Sequence, residues 1–346
     1  MNCFFYRKPG GESIYSGCSD EIFPYMSEGF IFSPFGFRRS IFTIPAQRSG
    51  ITEIEAQDII AGNTSSFMAD IRELHSTNPT THYSYISDIK DFLKLTEERL
   101  AKPTKIVAAR VDSVSSSLSP LSIFHNLCRL QQNAFVFLFS TPAFGTWIGA
   151  SPEVILQCDG SSLLTYSLAG SRPASDKDSG WDAKNIEEQQ IVTDFIIESL
   201  TQEGLSPNCS KSTTLRCGAV EHLLTEIHVN LGELIDHDTP ERLITSLTPT
   251  PALSGFPQKE AIDFITSHEG FPRLCYGGMV GYCYGTFNFS AYVNLRSGMI
   301  TDAGGSSLMS TSLLLYAGGG ITLKSVAEEE WLETERKLST MRSALI

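Results

Sequence analysis

Strand-like segments of this 346-residue chain follow one another in groups, with long helical segments between the groups. Apolar runs at 134–140, 145–157 and 162–168 succeed each other without an intervening helix. A doubly wound parallel sheet needs a helix after each strand, so this order favours an α+β fold. Apolar residues at helical spacing predict long helices at 84–101, 183–200, 258–267 and 327–345.

Three further segments complete the predicted outline. The run 105–110 is apolar after its first residue and reads as a buried strand, and 291–296 also reads as a strand. Residues 203–215 are polar and contain Gly, Ser and Pro, which is typical of a loop.

Charge and hydropathy exclude several classes of protein. Asp and Glu outnumber Lys and Arg by 39 to 26, so the net charge is −13, which disfavours a nucleic-acid partner. The densest apolar run, 135–139, is far shorter than the roughly 20 residues of a membrane helix. The first residues lack the apolar core of a secretory signal, and the eight cysteines form no CxxC pair. We therefore expect a cytoplasmic protein without a membrane partner.

Two predicted helices carry carboxylates that could bind a cation. Glu330, Glu333 and Lys337 are spaced by three and four residues, so they share one stripe of the last helix. That spacing also fits a solvent-exposed face with one weak ion pair. Glu188 lies on the helix at 183–200, where most carboxylates are simply solvated. Glu188 would contribute to a site only if the fold places it opposite Glu333.

Three other side chains allow two interpretations each. Lys105 opens an apolar strand, where its ammonium group could reach the surface or could lose solvent and act as a base. Glu153 precedes an apolar strand. It could be a surface residue, or it could be an acid whose pKa is raised by apolar neighbours. His222 fits either a core histidine or a ligand contact.

Two more features could bind anions. The glycines in Ala317-Gly-Gly-Gly320 follow an apolar strand and form either an anion-binding nest or a tight turn. Arg296 alternates with Val293 and Leu295, and its planar guanidinium group suits a carboxylate. An arginine exposed at a sheet edge is the alternative.

The chain resembles the chorismate-utilising enzymes, and most closely the isochorismate synthases. The resemblance covers roughly residues 100–346 and is loose before them. It rests on blocks in family order, which are Gly-Ala-Ser-Pro-Glu153, Leu168-Ala-Gly-Ser171, the segment from Lys184 to Glu188, Glu221-His-Leu223, Leu247-Thr-Pro-Thr-Pro-Ala-Leu-Ser-Gly-Phe-Pro257, Gly278-Met-Val-Gly281, Leu295-Arg-Ser297, Tyr316-Ala-Gly-Gly-Gly-Ile321 and Glu330-Trp-Leu-Glu-Thr-Glu-Arg-Lys337.

The resemblance implies one large catalytic domain over residues 1–346, with two packed β-sheets and helices outside. It implies a monomer that binds chorismate and Mg²⁺. The metal ligands would be Glu188 and Glu333, with Glu330 close by. Lys105 would activate water for attack on C2 of chorismate, and Glu153 would protonate the departing C4 hydroxyl. The substrate-binding residues would be Gly170, His222, Arg296, Gly319 and Lys337.

The sequence departs from the family pattern at a few positions and leaves some alternatives open. Asn185 and Gln189 stand where many members have Asp and His, and Thr248 replaces a common His. Branches that use ammonia typically lack the lysine at 105, which favours water as the nucleophile. Salicylate synthases keep that lysine and add pyruvate elimination, so they are the main alternative. A non-catalytic relative would be expected to lose Lys105 or Glu153. The pathway could be that of menaquinone, a siderophore or salicylate.

Overall fold

Two antiparallel β-sheets and seven α-helices make up the described part of the chain. The structure, a computed structural model, describes all residues except 37–39, 75–78, 99–102, 177–179, 218–219, 233–235, 237 and 305–309. The strands are β1 (Asn2–Arg7), β2 (Ile14–Ser19), β3 (Gly29–Ser33), β4 (Phe42–Ile44), β5 (Arg48–Ser49), β6 (Lys105–Ser116), β7 (Phe135–Thr141), β8 (Gly145–Ser151), β9 (Val154–Asp159), β10 (Ser162–Pro173), β11 (Asn208–Cys209), β12 (Thr213–Cys217), β13 (Val220–Asn230), β14 (Gly255–Phe256), β15 (Met279–Gly285), β16 (Asn288–Val293), β17 (Ser297–Asp302) and β18 (Thr311–Ile321). The helices are α1 (Glu53–Leu74), α2 (His82–Glu97), α3 (Pro120–Leu130), α4 (Ala183–Gln202), α5 (Thr239–Leu247), α6 (Gln258–His268) and α7 (Ala327–Arg342).

Both sheets contain strands from the beginning and from the end of the chain. The first sheet has the order β14-β6-β18-β17-β8-β7-β1-β2-β5, and the second has β11-β13-β10-β9-β16-β15-β3-β4, with β12 also on β13. Helices α1, α3 and α7 contact the first sheet, and α4 and α5 contact the second. The predicted α+β fold with two packed sheets and outer helices is confirmed. No helix of the described residues is long and apolar enough to cross a membrane.

Strand β7 shows how the sequence builds the layers. Phe135, Phe137 and Phe139 alternate along it and lie in an aromatic core with Tyr292 and other side chains of the second sheet. The rings of Phe135 and Tyr292 stack with their centroids 4.5 Å apart. The intervening residues Val136 and Leu138 point the other way and pack beneath the helices. A strand covered on both faces is apolar throughout, which explains this continuous run.

The prediction of a single strand at 145–157 is wrong, because the structure has two strands there. The break between them positions Glu153. The chain leaves the first sheet at Ser151 and enters the second at Val154. Pro152 has no N–H to give to a sheet ladder, so it suits the passage between them. Glu153 therefore sits where the chain crosses from one sheet to the other.

Two further predictions near the site are corrected. Ala317 to Gly320 do not follow a strand but belong to β18, where Gly319 pairs with Ala108 of β6. The predicted strand at 291–296 ends at Val293, and Arg296 lies in a turn with a left-handed φ of 48°. Its carbonyl accepts the Ala150 N–H at 3.1 Å, which fixes this turn against β8.

Helices α1, α3 and α5 are absent from the prediction, and β11 and β12 lie in a segment predicted to be a loop. Helix α1 contains Gly-Asn-Thr-Ser-Ser at 62–66, which are poor helix formers. Tertiary contacts override that preference. The Asn63 amide donates to Ser140 at 3.1 Å, the Thr64 and Thr146 hydroxyls are 2.8 Å apart, and Ala56 and Ile60 are buried.

Candidate active site

Most of the predicted functional residues line one cavity beside the glycine-rich end of β18. Gly319 and Glu330 are the two that do not: Gly318 and Gly320 line the cavity instead, and Glu330 lines an adjoining cavity that also contains Glu333. The eight predicted residues in the first cavity are Lys105, Glu153, Gly170, Glu188, His222, Arg296, Glu333 and Lys337.

Lys105 is held at the first residue of β6, and its side chain is buried. The short strand β14 pairs with it there, with Gly255 opposite Ile106 and Phe256 opposite Lys105. Gly255 has a φ of 119°, and a Cβ at this position would collide with the Lys105 carbonyl, so only glycine allows the pairing. Burial lowers the pKa of Lys105, and the charges of Lys184 and Lys337 act in the same direction, although the carboxylates of Glu188 and Glu333 oppose them. The surface interpretation of this lysine is excluded.

Glu153 is buried at the passage between the sheets. Its carbonyl accepts the Val293 N–H at 2.9 Å, which fixes the backbone against the second sheet. Burial raises the pKa of Glu153 from 4.5 to about 7, although Lys337, Arg296 and Lys105 favour the charged form. This carboxyl group can therefore carry a proton near neutral pH.

Helix α4 begins where it does because Asp182 caps it, accepting the Asn185 N–H at 2.8 Å. The cap places Lys184 and Glu188 in the first two turns, facing α7. The Asn185 side chain donates to Asp182 and accepts from the Ser171 N–H, both at 2.8 Å. An amide can do both at once, whereas a carboxylate cannot donate, which gives the departure at 185 a physical reason.

Lysines lie between the carboxylates of α4 and α7. The Lys184 ammonium is 2.6 Å from Glu330 Oε1 and 4.0 Å from Glu188 Oε1. The Lys337 ammonium is 2.7 Å from Glu333 Oε1 and donates to the Gly318 carbonyl at 2.8 Å. Glu330 and Glu333 are only 2% and 8% exposed, so the interpretation of α7 as a solvated face is excluded.

The electrostatics of the two α7 carboxylates differ. Burial and the neighbouring charge of Glu333 raise the pKa of Glu330. Although burial opposes it, the ammonium groups of Lys337 and Lys184 hold the pKa of Glu333 below its ordinary value.

The residues present fit a divalent cation. Glu188 Oε1 and Glu330 Oε2 are buried without a hydrogen-bond partner among the described residues. A Cβ at Gly320 would lie 2.5 Å from Glu188 Oε1, and a Cβ at Gly319 would lie 3.3 Å from Glu330 Oε2 and 3.7 Å from Glu333 Oε1. Glu188 therefore approaches β18 at Gly320, and the two α7 carboxylates approach it at the neighbouring Gly319, where the backbone carries no side chain; oxygen ligands suit Mg²⁺. Among the described residues no three His, Cys, Asp or Glu side chains lie close enough together to hold a metal ion as they stand, and Lys184 and Lys337 pair with Glu330 and Glu333.

His222 and Arg296 form one hydrogen-bonded unit. His222 Nδ1 is 3.0 Å from Ser171 Oγ and 3.1 Å from the Gly170 carbonyl oxygen, and because the carbonyl can only accept, Nδ1 carries the proton. Nε2 then accepts from Arg296 Nη2 at 3.2 Å. Burial and the charges of Arg296 and Lys337 lower the pKa of His222 to about 3, which keeps the ring neutral. A neutral histidine therefore orients the guanidinium group in the cavity.

Several residues in or beside the cavity were not predicted from the sequence. Tyr276 and Ser171 line it, and the Tyr276 hydroxyl would be 3.3 Å from a Cβ at Gly318. Lys184 lies in the adjoining cavity and pairs with Glu330. The sequence indicates these residues only weakly. Tyr276 stands two residues before the block Gly278-Met-Val-Gly281, and Ser171 and Lys184 lie within blocks that resemble the family.

Comparisons with known proteins identify the family of the chain. The sequence pattern of the family described as "Chorismate binding enzyme" matches residues 47–346. The isochorismate synthase MenF of Bacillus subtilis is 31% identical over 226 residues, covering 62% of this chain and 45% of that protein. The salicylate biosynthesis isochorismate synthase of Pseudomonas aeruginosa is 31% identical over 253 residues, covering 70% and 50%. The chain thus spans about half the length of these curated relatives.

The fold agrees with a solved structure as well. The crystal structure of a putative 2,3-dihydroxybenzoate-specific isochorismate synthase, DhbC from Bacillus anthracis, superimposes with a TM-score of 0.77 at 22% identity, covering 99% of this chain and 96% of that one. Because the family match extends over most of the chain, from the fifth strand to the last helix, the chain belongs to the chorismate binding enzymes.

Proposed function

We propose that the protein isomerises chorismate to isochorismate in a Mg²⁺-dependent reaction. The observation that carries the proposal is the pairing, in one cavity, of a buried lysine whose pKa is lowered with a buried glutamate whose pKa is raised to about 7. Such a pair supplies a base and an acid at the same pH. The two curated relatives described above are both named isochorismate synthases, which supports this reaction.

In the proposed reaction, neutral Lys105 takes a proton from water as its oxygen bonds to C2 of chorismate. The double bond shifts, the C4–oxygen bond breaks, and Glu153 gives its proton to the departing hydroxyl. One water enters and one leaves, so substrate and product are isomers. The protein ends with a protonated lysine and an ionised glutamate, and proton exchange with solvent restores both.

We further propose that the cations of the site hold the substrate carboxylates. Arg296, oriented by His222, and Lys337 are the charged donors in the cavity, and Gly170 shapes its wall. Glu188, Glu330 and Glu333 would hold Mg²⁺, which when bound neutralises substrate charge as a Lewis acid. Such local positive charge is needed because the whole protein carries a net charge of −13. Residues 1–346 would act as one catalytic unit.

The first prediction concerns the product. Purified protein with chorismate and Mg²⁺ should form a mixture of chorismate and isochorismate, resolved by liquid chromatography. Adding ammonium should not yield an amino product, because the site supplies a base for water. Stoichiometric pyruvate with salicylate would instead indicate a salicylate synthase, and anthranilate formed with ammonium would indicate the ammonia branch.

The second prediction concerns the base. Lys105→Ala should lower kcat at least ~10²-fold, the usual minimum for losing an acid–base group, with a much smaller change in KM. Lys259→Ala, which removes an exposed lysine of α6, is the matched control and should keep the wild-type rate. A Lys105→Ala enzyme as fast as the control would remove water activation from the proposal.

The third prediction concerns the metal. EDTA should abolish turnover, and Mg²⁺ should restore it. Glu188→Gln and Glu333→Gln should each raise the Mg²⁺ concentration for half-maximal activity by at least about tenfold, because each removes a charged ligand. The neighbouring Glu187→Gln is the control, since that side chain is exposed and pairs with Lys324 at 2.5 Å. Full activity in EDTA would contradict this part of the proposal.

The fourth prediction concerns the proposed acid, Glu153, and is tested by measuring the free energy of unfolding. The pKa of Glu153 is raised in the folded protein, so the folded state binds this proton more tightly, and the associated stability is lost as pH rises from 4.5 through about 7. Glutamine is neutral at every pH and lacks this loss. Between pH 5 and pH 8, Glu153→Gln should therefore gain about 2 kcal/mol in unfolding free energy relative to wild type.

Urea unfolding of both proteins at the two pH values measures this difference, because other titrating groups cancel between them. Glu187→Gln should follow wild type at both pH values. An equal pH dependence for Glu153→Gln and wild type would mean that Glu153 is ionised throughout.

A further inference from the structure

Tyr85 is a buried residue of α2 that reaches the carboxylate site and lies outside the sequence blocks on which the family resemblance rests. It lies in the first turn of α2 and is only 1% exposed. Its hydroxyl donates to the Ala108 carbonyl at 3.3 Å, which is long for a bond between an O–H and an oxygen. This hydroxyl is therefore weakly bound in its present position.

The Tyr85 hydroxyl faces the carboxylates of α7. It would lie 3.7 Å from a Cβ at Gly319, the same point that Glu330 Oε2 and Glu333 Oε1 approach to 3.3 and 3.7 Å. Three oxygens thus converge on one glycine. Glu330 Oε2 is buried and has no hydrogen-bond partner among the described residues. The Ser325 hydroxyl also favours the charged form of Glu330, so a weakly bound donor and a carboxylate whose Oε2 has room for a further hydrogen bond approach the same point beside Gly319.

The ring that carries this hydroxyl is fixed by packing. Trp331 lies edge-on to Tyr85 with ring centroids 5.7 Å apart, and the Arg110 guanidinium stacks on Trp331 at 3.8 Å. The start of α2 is set by a capping box in which Thr81 and Ser84 bond reciprocally. The position of the hydroxyl is therefore determined by the fold, and only its O–H direction is free to change.

We propose that Tyr85 is a positioning residue for the cation site. Its hydroxyl turns from the Ala108 carbonyl to Glu330 Oε2 when the cation replaces Lys184 at Glu330, and so holds that carboxylate in place. A change of the Glu330 side-chain torsions brings the two oxygens together. This inference rests on the proposed Mg²⁺-dependent function. It adds a residue that lies outside the sequence blocks on which the family resemblance rests.

The test is a calorimetric titration of Mg²⁺ into wild-type, Tyr85→Phe and Tyr83→Phe protein without substrate. Tyr85→Phe keeps the ring and removes the hydroxyl, and it should weaken Mg²⁺ binding by about 10- to 100-fold, as losing an outer-shell partner does. Tyr83 is 83% exposed two residues earlier on the same helix, so Tyr83→Phe should match wild type. Thermal unfolding of all three checks that the fold is retained.

A double substitution separates positioning from packing. If Tyr85 acts through Glu330, Tyr85→Phe should weaken Mg²⁺ binding in wild type but add little in a Glu330→Gln background. Equal Mg²⁺ affinities for Tyr85→Phe and Tyr83→Phe would overturn the inference, and so would an equal loss of affinity in the wild-type and Glu330→Gln backgrounds. In either case, chorismate turnover by the wild-type protein would still uphold the proposed function. Wild-type protein that neither binds Mg²⁺ nor converts chorismate would overturn both.

Discussion

The site depends on mutual compensation between buried charges. Isolated carboxylates or ammonium groups are costly to bury, and a low-dielectric interior tolerates them only when opposite charges lie close. Here Glu188, Glu330 and Glu333 share a small volume with Lys184 and Lys337. The Gly318–Gly320 backbone leaves room for all five, because no side chain of β18 competes for that space.

Buried charges are also compensated in the wall of the cavity. Arg273 is buried and pairs with Glu269 at 2.5 Å. Its guanidinium group also donates to the Leu253 and Val107 carbonyls, whose residues line the cavity. One guanidinium group thereby ties the loop before β14 to the strand that begins with Lys105, and Glu269 balances its charge. The strand that carries the proposed base, Lys105, is therefore held in place by Arg273, a residue on another segment of the chain.

The sequence predicted those parts of the molecule that depend on local patterns. Helix α7 and the stripe of Glu330, Glu333 and Lys337 follow from spacing. Lys105 is indicated by its place at the start of an apolar run, and Glu153 by a block shared with the family. Features that depend on tertiary contact could not be predicted this way. Helix α1 is stabilised by polar bonds to strands far away in the chain, and Tyr85 contacts the site only because α2 packs on α7. No spacing rule contains that information.

The passage of the chain between the sheets has a mechanical consequence. Glu153 sits on the connection from one sheet to the other, whereas Lys105 belongs to the first sheet alone. Any sliding of one layer over its partner would stretch this connection and change the separation of acid and base. A displacement of about 1 Å can cost ~10²-fold in rate, so the reaction requires stiffness against shear. The interleaved aromatic rings between the layers resist that motion, because sliding would force interdigitated, close-packed side chains past one another. The phenylalanines of β7, which are not among the residues that line the cavity, thus help to limit how far acid and base can move apart.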